Sequence, residues 1–175
     1  MLQAARRSIV PGMVALPIML FAAATDPAGV AAARLCEAGE RQLFGCAIGV
    51  RHVALCAGGS GASAYIQYRS RRRGKLDLVY PDARRGSGGM SYATTGYSGG
   101  GAMQVRFRTA GAAYAVYSQI VRTNFGPGGN NPQASAGVIV RMPSGRSRDL
   151  VCTSPRNAGF AADVFRLLPQ SEFED

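Results

Sequence analysis

Four cysteines are the side chains best suited to chemistry in this chain, and their spacing favours disulfide bonds over metal binding. They are Cys36, Cys46, Cys56 and Cys152, separated by ten, ten and ninety-six positions. Structural zinc sites draw cysteine pairs from short C-x2-4-C motifs, and none occurs here. An even number of cysteines in an exported chain is typical of a disulfide framework. We therefore expect two disulfides, no metal ion and no thiolate nucleophile.

Few residues could form a catalytic centre. His52 is the only histidine, and no G-x-S-x-G or comparable nucleophile motif accompanies it. The glycine clusters at 58–61, 86–89 and 99–101 lack the Lys-Ser/Thr pair of a phosphate-binding loop. We expect His52 to be an ordinary surface residue and the protein to have no catalytic centre and no cofactor. The alternative is a hydrolase whose site, at His52 or at a pair of carboxylates, has no recognised motif.

Basic side chains are the strongest indication of a binding function. Lys and Arg outnumber Asp and Glu by 20 to 10, which gives a formal net charge of +10. The candidate binding residues lie on two predicted hairpins: Arg69, Arg71, Arg72, Arg73, Lys75, Arg106 and Tyr117. Such a surface attracts anionic lipid head groups, acidic envelope polymers and nucleic acid. The alternative is a surface that only keeps the domain soluble and protects strand edges.

The first 24 residues have the organisation of a signal peptide. Arg6 and Arg7 precede an apolar stretch over residues 9–24 that ends in small residues, and a second candidate cleavage site lies at 31–33. The stretch is short for a membrane span, so we expect cleavage rather than a retained anchor. The mature chain would then be periplasmic or secreted, and nucleic acid would not be its partner in vivo. Either Sec or twin-arginine export fits the two arginines.

The stretch 64–81, AYIQYRSRRRGKLDLVYP, predicts a β-hairpin. Its alternation favours a three-residue Arg-Arg-Gly loop, which places Tyr68 opposite Leu78 on a mostly apolar face. The same register places Arg69 opposite Asp77 on the other face, as a cross-strand ion pair.

A hairpin formed by residues 42–48 and 52–57 decides which cysteines can pair. A turn at Val50-Arg51 would direct Cys46 inward and Cys56 outward, so these two cannot bridge each other. Two pairings remain: Cys36–Cys46 with Cys56–Cys152, or Cys36–Cys56 with Cys46–Cys152. We favour the first.

The rest of the chain completes an all-β domain. A third hairpin joins 103–108 to 113–120, with Met103, Val105 and Phe107 facing inward opposite Ser118, Val116 and Tyr114, and with Gln104, Arg106 and Tyr117 facing outward. Further predicted elements are a strand at 91–95, a hairpin of 137–142 with 148–153, an irregular loop at 124–132 and a helix at 158–168. The pattern predicts an antiparallel barrel or sandwich of about eight strands with one C-terminal helix. We expect one domain over residues 35–168 and an acidic tail over 169–175.

Several motifs resemble those of a family of small exported proteobacterial proteins of unknown function. They are C-x9-C-x9-C at Cys36, Cys46 and Cys56, YIQYR at 65–69, LDLVYP at 76–81, YSGGGA at 97–102, YAVYS at 114–118 and GVIV at 137–140. The resemblance spans about Leu35 to Thr153 and implies a periplasmic protein, but it assigns no chemistry to any residue. The arginine-rich turn departs from the family pattern, so the resemblance gives residues 71–73 no family-wide role.

Together these features predict a non-catalytic, disulfide-stabilised envelope domain that binds an anionic or protein partner through the Arg69–Lys75 hairpin. An alternative is a periplasmic inhibitor of lysozyme-type hydrolases that uses the 124–132 loop. Such inhibitors are also small exported disulfide-bonded β-barrels, so that comparison rests on architecture alone. No oligomeric state is predicted.

Overall fold

The computed structural model describes residues 35–126 and 129–174 as a sandwich of two antiparallel sheets. Sheet A contains β1 (Arg41–Ile48), β2 (Arg51–Gly58), β3 (Tyr65–Arg72) and β4 (Lys75–Tyr80) in that order. Sheet B contains β5 (Ser91–Tyr97), β6 (Gly100–Thr109), β7 (Ala112–Gly126), β8 (Gly129–Arg141) and β9 (Ser147–Val151). The prediction of an all-β fold is confirmed, in its sandwich form rather than as a closed barrel. The predicted signal peptide, with both of its cleavage sites, lies outside the described residues.

One hydrophobic core joins the two sheets. It includes Leu55 and Tyr68 of sheet A and Val116 and Val138 of sheet B, all buried. The Tyr68 ring packs against Phe107 across the core, with 5.0 Å between ring centroids. Each such side chain removed from water stabilises the fold by about 1.5–3 kcal/mol, so the alternating apolar residues hold the sheets face to face.

The β3–β4 hairpin is confirmed, but its predicted register is wrong. Tyr68 pairs with Tyr80 and Arg69 with Val79, around a two-residue turn at Arg73 and Gly74. Both turn residues have a positive φ, 49° and 83°, as a tight hairpin turn of this kind requires. An irregularity in the pairing after Ser70 compensates for the shorter loop and keeps the apolar side chains inward. The predicted Arg69–Asp77 ion pair is therefore wrong.

The β1–β2 hairpin turns one residue earlier than predicted, at Gly49-Val50, because Gly49 adopts a φ of 56°. Cys46 still faces the core and Cys56 the outer side of sheet A, so the exclusion of a bond between them is confirmed. The disulfides are Cys36–Cys56 and Cys46–Cys152. The pairing that we favoured is wrong, because the segment before β1 crosses the outer face of sheet A, where Cys56 points.

Sheet B confirms the predicted pairing of the third hairpin, including Val105 opposite Val116 and Phe107 opposite Tyr114, although β6 and β7 both extend beyond the predicted strands 103–108 and 113–120. The hairpin of β8 and β9 is also confirmed. The irregular loop predicted over 124–132 is wrong in extent, because β7 continues to Gly126 and β8 begins at Gly129. Thr123 still pairs with Asn131 and Gly126 with Gly129, with an irregularity in the register between these two pairs. Residues 127–128 of the predicted loop lie outside the described part of the chain.

The C-terminal helix is much shorter than predicted. It is α1, Val164–Leu167. The preceding residues are tied to sheet A instead, since Phe160 packs against Phe44 at 4.9 Å and the Ala161 amide donates to the Leu43 carbonyl. In the described residues, no helix is both long enough and apolar enough to cross a bilayer.

The acidic tail continues from α1 along the edge of sheet B. The Tyr92 amide donates to the Pro169 carbonyl at 3.0 Å, and the Ser171 amide donates to the Tyr92 carbonyl at 2.8 Å. Residues 169–174 thus lie beside β5 and reach the outer side of the sheet.

Candidate functional site

Four basic residues around the β3–β4 turn form a cationic surface that we call the basic tip: Arg71, Arg72, Arg73 and Lys75. Arg71 is half-buried and the other three are exposed. Among the described residues, none of the four takes part in an ion pair or a side-chain hydrogen bond. The neighbouring Arg51 is neutralised, since its Nη1 lies 2.6 Å from Oδ2 of Asp77. The positive charge of the tip is therefore available to a partner.

Two aliphatic side chains beside the basic tip are also exposed. Val50 is 55% exposed and Leu76 is 54% exposed. Val50 is linked to the tip by its carbonyl, which accepts a hydrogen bond from the Arg73 amide at 3.0 Å. Leu76 lies directly opposite Arg71 in the β3–β4 pairing. The tip thus presents cations and apolar groups together.

Arg69 does not belong to this exposed surface, contrary to the sequence prediction. Its guanidinium forms a two-pronged ion pair with Glu40, with Nη1–Oε2 and Nη2–Oε1 both at 2.6 Å. The side chains of Arg69 and Glu40 are only 4% and 3% exposed. Arg69 also donates to the carbonyl of Leu35 at 2.9 Å and to Oε1 of Gln67 at 2.7 Å. Its role in the described structure is to fix the segment before β1 on the outer face of sheet A.

The environment of Glu40 keeps its carboxylate charged. Burial alone would raise the pKa of Glu40, but hydrogen bonds from Arg69 and Tyr65 and the charge of Arg69 outweigh burial and lower the pKa to about 2. The Tyr65 hydroxyl donates to Oε1 of Glu40 at 2.6 Å, and this bond raises the pKa of Tyr65. The Cys36–Cys56 disulfide anchors the same segment, so covalent and ionic contacts reinforce each other.

The Glu40 pKa predicts acid sensitivity. A carboxylate whose pKa falls from 4.5 to about 2 on folding stabilises the folded state above pH 4.5, and this contribution is lost as the pH falls towards 2. At about 1.4 kcal/mol per pKa unit, we expect a loss of about 3 kcal/mol in unfolding free energy between pH 5 and pH 2. Urea unfolding across this range would measure it. The E40Q variant is the control, because it lacks this carboxylate and should lose correspondingly less over the same interval; parallel curves for the two proteins would contradict the prediction.

Tyr117 is not the exposed aromatic surface that the sequence predicted. It is 7% exposed, and its hydroxyl donates to Oδ1 of Asp149 at 3.0 Å. Burial, and then the neighbouring charge of Asp149, raise the pKa of Tyr117. Tyr117 therefore joins β7 to β9 in the described structure.

Arg106 lies under the acidic tail. Its Nη2 donates to Oγ of Ser171 at 2.9 Å and to the Glu172 carbonyl, and its Nη1 lies 2.7 Å from Oε1 of Glu174. Gln104 on the same strand donates to the Glu174 carbonyl at 3.0 Å. Both residues occupy the outer face of sheet B as predicted, but the tail covers them.

A cavity of about 320 Å³ opens beside Arg106, at the corner where β5 begins. Because Ser91 pairs with Arg106, the end of β6 beyond that point has no β5 residue beside it. Three arginines, three small or aliphatic side chains and one acid are among the lining residues: Arg106, Arg108, Arg141, Ala113, Ala115, Ile139 and Glu174. The sequence analysis did not identify this site. The one signal in the sequence was the opposite charge of the acidic tail and of the basic residues at outward positions of β6.

The other residues considered for chemistry have ordinary environments. His52 is half-buried on β2, between Ala47 and Arg71 of the neighbouring strands. Potential metal-ligand atoms of Cys36, Glu40 and Cys56 lie within 4.8 Å of one another. Both sulfur atoms are joined in a disulfide and the carboxylate is paired with Arg69, so this donor set does not suit a metal ion.

Comparisons of the chain with protein families, with curated proteins and with solved structures find no match.

Proposed function

We propose that this protein is an exported, non-catalytic binding domain of the cell envelope whose basic tip engages an anionic partner. The observation that carries the proposal is the absence, among the described residues, of any carboxylate paired with the four cations of the tip. Seven other ion pairs show that nearby acids are used where the fold needs them, as with Arg51 and Asp77. Two disulfides, typical of proteins in an oxidising compartment, support the location.

The exposed aliphatic residues favour an anionic lipid surface over a soluble polyanion. Phosphate head groups attract cations, each worth about 1 kcal/mol near a negatively charged membrane. Val50 and Leu76 at the same tip can enter the boundary between head groups and acyl chains, where apolar side chains gain free energy. A soluble polyanion would gain nothing from these two side chains.

We expect R71S/R72S/R73S to bind vesicles rich in phosphatidylglycerol about 100-fold more weakly than the wild type at low salt. Three lost cations remove about 3 kcal/mol of attraction, and each 1.4 kcal/mol is a factor of ten. Sedimentation of protein with vesicles, compared with neutral phosphatidylcholine vesicles, would measure this. Rising ionic strength should weaken wild-type binding in parallel, because salt screens exposed charges.

The matched control is R122S/R146S/R148S, which removes three exposed arginines outside the basic tip. It should retain most of the vesicle binding because the basic tip is intact, although it loses the same net charge as R71S/R72S/R73S. Equal binding by the wild type and R71S/R72S/R73S would refute the proposal. V50S/L76S then identifies the partner class: weaker vesicle binding with unchanged retention on heparin supports lipid, whereas no effect on vesicles points to a soluble polyanion. The hydrolase-inhibitor and hydrolase alternatives stay predictions, since no particular observation favours them.

A further inference from the structure

The cavity at the corner of sheet B already holds a carboxylate. Oε1 of Glu174 lies 2.7 Å from Nη1 of Arg106, and Oε2 of Glu174 lies 3.8 Å from Nη1 of Arg141. Two guanidinium groups from β6 and β8 thus converge on one carboxylate group.

The cavity is basic and only partly filled. Arg106, Arg108 and Arg141 line it. Glu174 is itself 60% exposed, so it lies at the mouth of the cavity rather than filling it. The volume of about 320 Å³ therefore leaves room for another anionic group.

Two buried polar atoms at this site have no hydrogen-bond partner: Oε1 of Gln104 and Nη1 of Arg106. Arg106 Nη1 contacts Glu174 at ion-pair distance, but without hydrogen-bond geometry. A buried donor left without a hydrogen bond is costly, so a ligand carboxylate that accepts from Nη1 of Arg106 would bind more tightly for that reason. Oε1 of Gln104 is itself an acceptor, so a carboxylate does not satisfy it. Glu174 therefore occupies the site incompletely.

The remaining walls suit a hydrocarbon group. Ala113, Ala115 and Ile139 line the cavity from adjacent positions of β7 and β8. Phosphate or sulfate would leave these apolar surfaces uncovered. An organic acid would cover them with its carbon chain while its carboxylate lies between the arginines.

We propose that this cavity is a binding site for a small organic carboxylate, and that Glu174 is an internal competitor which the ligand displaces. Arg106 binds the carboxylate, and the side chains of Ala113, Ala115 and Ile139 contact the hydrocarbon body. Displacement leaves the tail attached, because its backbone bonds with Tyr92 do not involve Glu174. This site is separate from the basic tip and does not depend on the function proposed for it.

The test uses full-length mature protein carrying E174A, titrated with hexanoate and followed through the backbone amide NMR signals of residues 113–115. Removing the internal competitor should tighten hexanoate binding at least about ten-fold relative to the wild type, because an attached group competes at high effective concentration. Acetate and inorganic phosphate should bind E174A more weakly than hexanoate. E174A/R106Q should no longer bind hexanoate, while its amide spectrum remains that of a folded protein.

The matched control is E172A, which removes one acid from the same tail but not from the cavity lining. It should bind hexanoate no better than the wild type. Absence of saturable shifts in E174A would overturn the proposal, as would phosphate binding as tightly as hexanoate. Binding of an acidic peptide with the sequence of residues 169–174, without binding of hexanoate, would also overturn it in favour of a peptide site.

Discussion

Replacing Glu40 by glutamine is expected to lower the free energy of unfolding by about 3–5 kcal/mol. The change removes the partner of Arg69 but leaves that guanidinium buried, and an uncompensated buried charge is among the costliest single defects in a protein. Glutamine also cannot accept both Arg69 bonds as a charged group does. The loss of unfolding free energy expected between pH 5 and pH 2 is of similar size. The two values agree because protonation of Glu40 and its replacement by glutamine both disrupt the same ion pair. Urea unfolding at pH 7 would measure the change.

Glu37 provides the matched control. It lies on the same segment and pairs with Arg84, but both side chains are more than half exposed. Exposed pairs contribute about 0–1 kcal/mol, so E37Q should be nearly neutral. The double variant E40M/R69M should be less destabilised than E40Q, because no unpaired charge remains. Equal effects of E40Q and E37Q would show that the buried pair does not stabilise the segment before β1.

Side-chain alternation was enough to predict which residues face the core. The register of the β6–β7 hairpin is confirmed because apolar and polar residues alternate along β6 and Ala110-Gly111 defines the turn. The registers of the β1–β2 and β3–β4 hairpins were wrong, since turn geometry rather than alternation decided them. In one, Gly49 starts the turn; in the other, Arg73 adopts a left-handed conformation that its residue type does not predict.

The roles of the basic residues depended on contacts distant in sequence. Arg69 pairs with Glu40, which lies 29 positions earlier in a segment without periodicity. Tyr117 donates to Asp149, which lies 32 positions later. Neither separation follows a helical or strand repeat, so no local pattern identifies the partner. The basic tip was predictable because exposure at a hairpin turn needs no partner. The cavity beside Arg106 depends on the return of the tail to β6, a contact between residues distant in sequence that no local pattern indicates.

The C46A/C152A variant is expected to lose about 4–5 kcal/mol of unfolding free energy, the largest effect of any change considered. The bond joins residues 106 positions apart, and closing a loop near this length restricts the unfolded chain by about 4.7 kcal/mol. All of sheet A precedes all of sheet B in the chain, so residues 81–90 form the one other covalent connection between them. Since small domains are stable by only about 5–15 kcal/mol, this variant should be close to unfolding at 37 °C.

The comparison with C36A/C56A separates loop length from other effects. That bond spans 20 positions, for which the same reasoning gives about 3 kcal/mol. The C36A/C56A change also frees the segment that carries Glu40. The unfolding free energy lost in C36A/C56A should therefore be smaller when it is measured in an E40M/R69M background. The unfolding free energy lost in C46A/C152A should be the same in both backgrounds. Alanine avoids new thiols that could form other bonds. Urea unfolding of both cysteine variants in the two backgrounds, against the wild type and E40M/R69M, would decide the point. A smaller loss for C46A/C152A than for C36A/C56A in the E40M/R69M background would mean that core packing, without the long-range bond, holds the two sheets together.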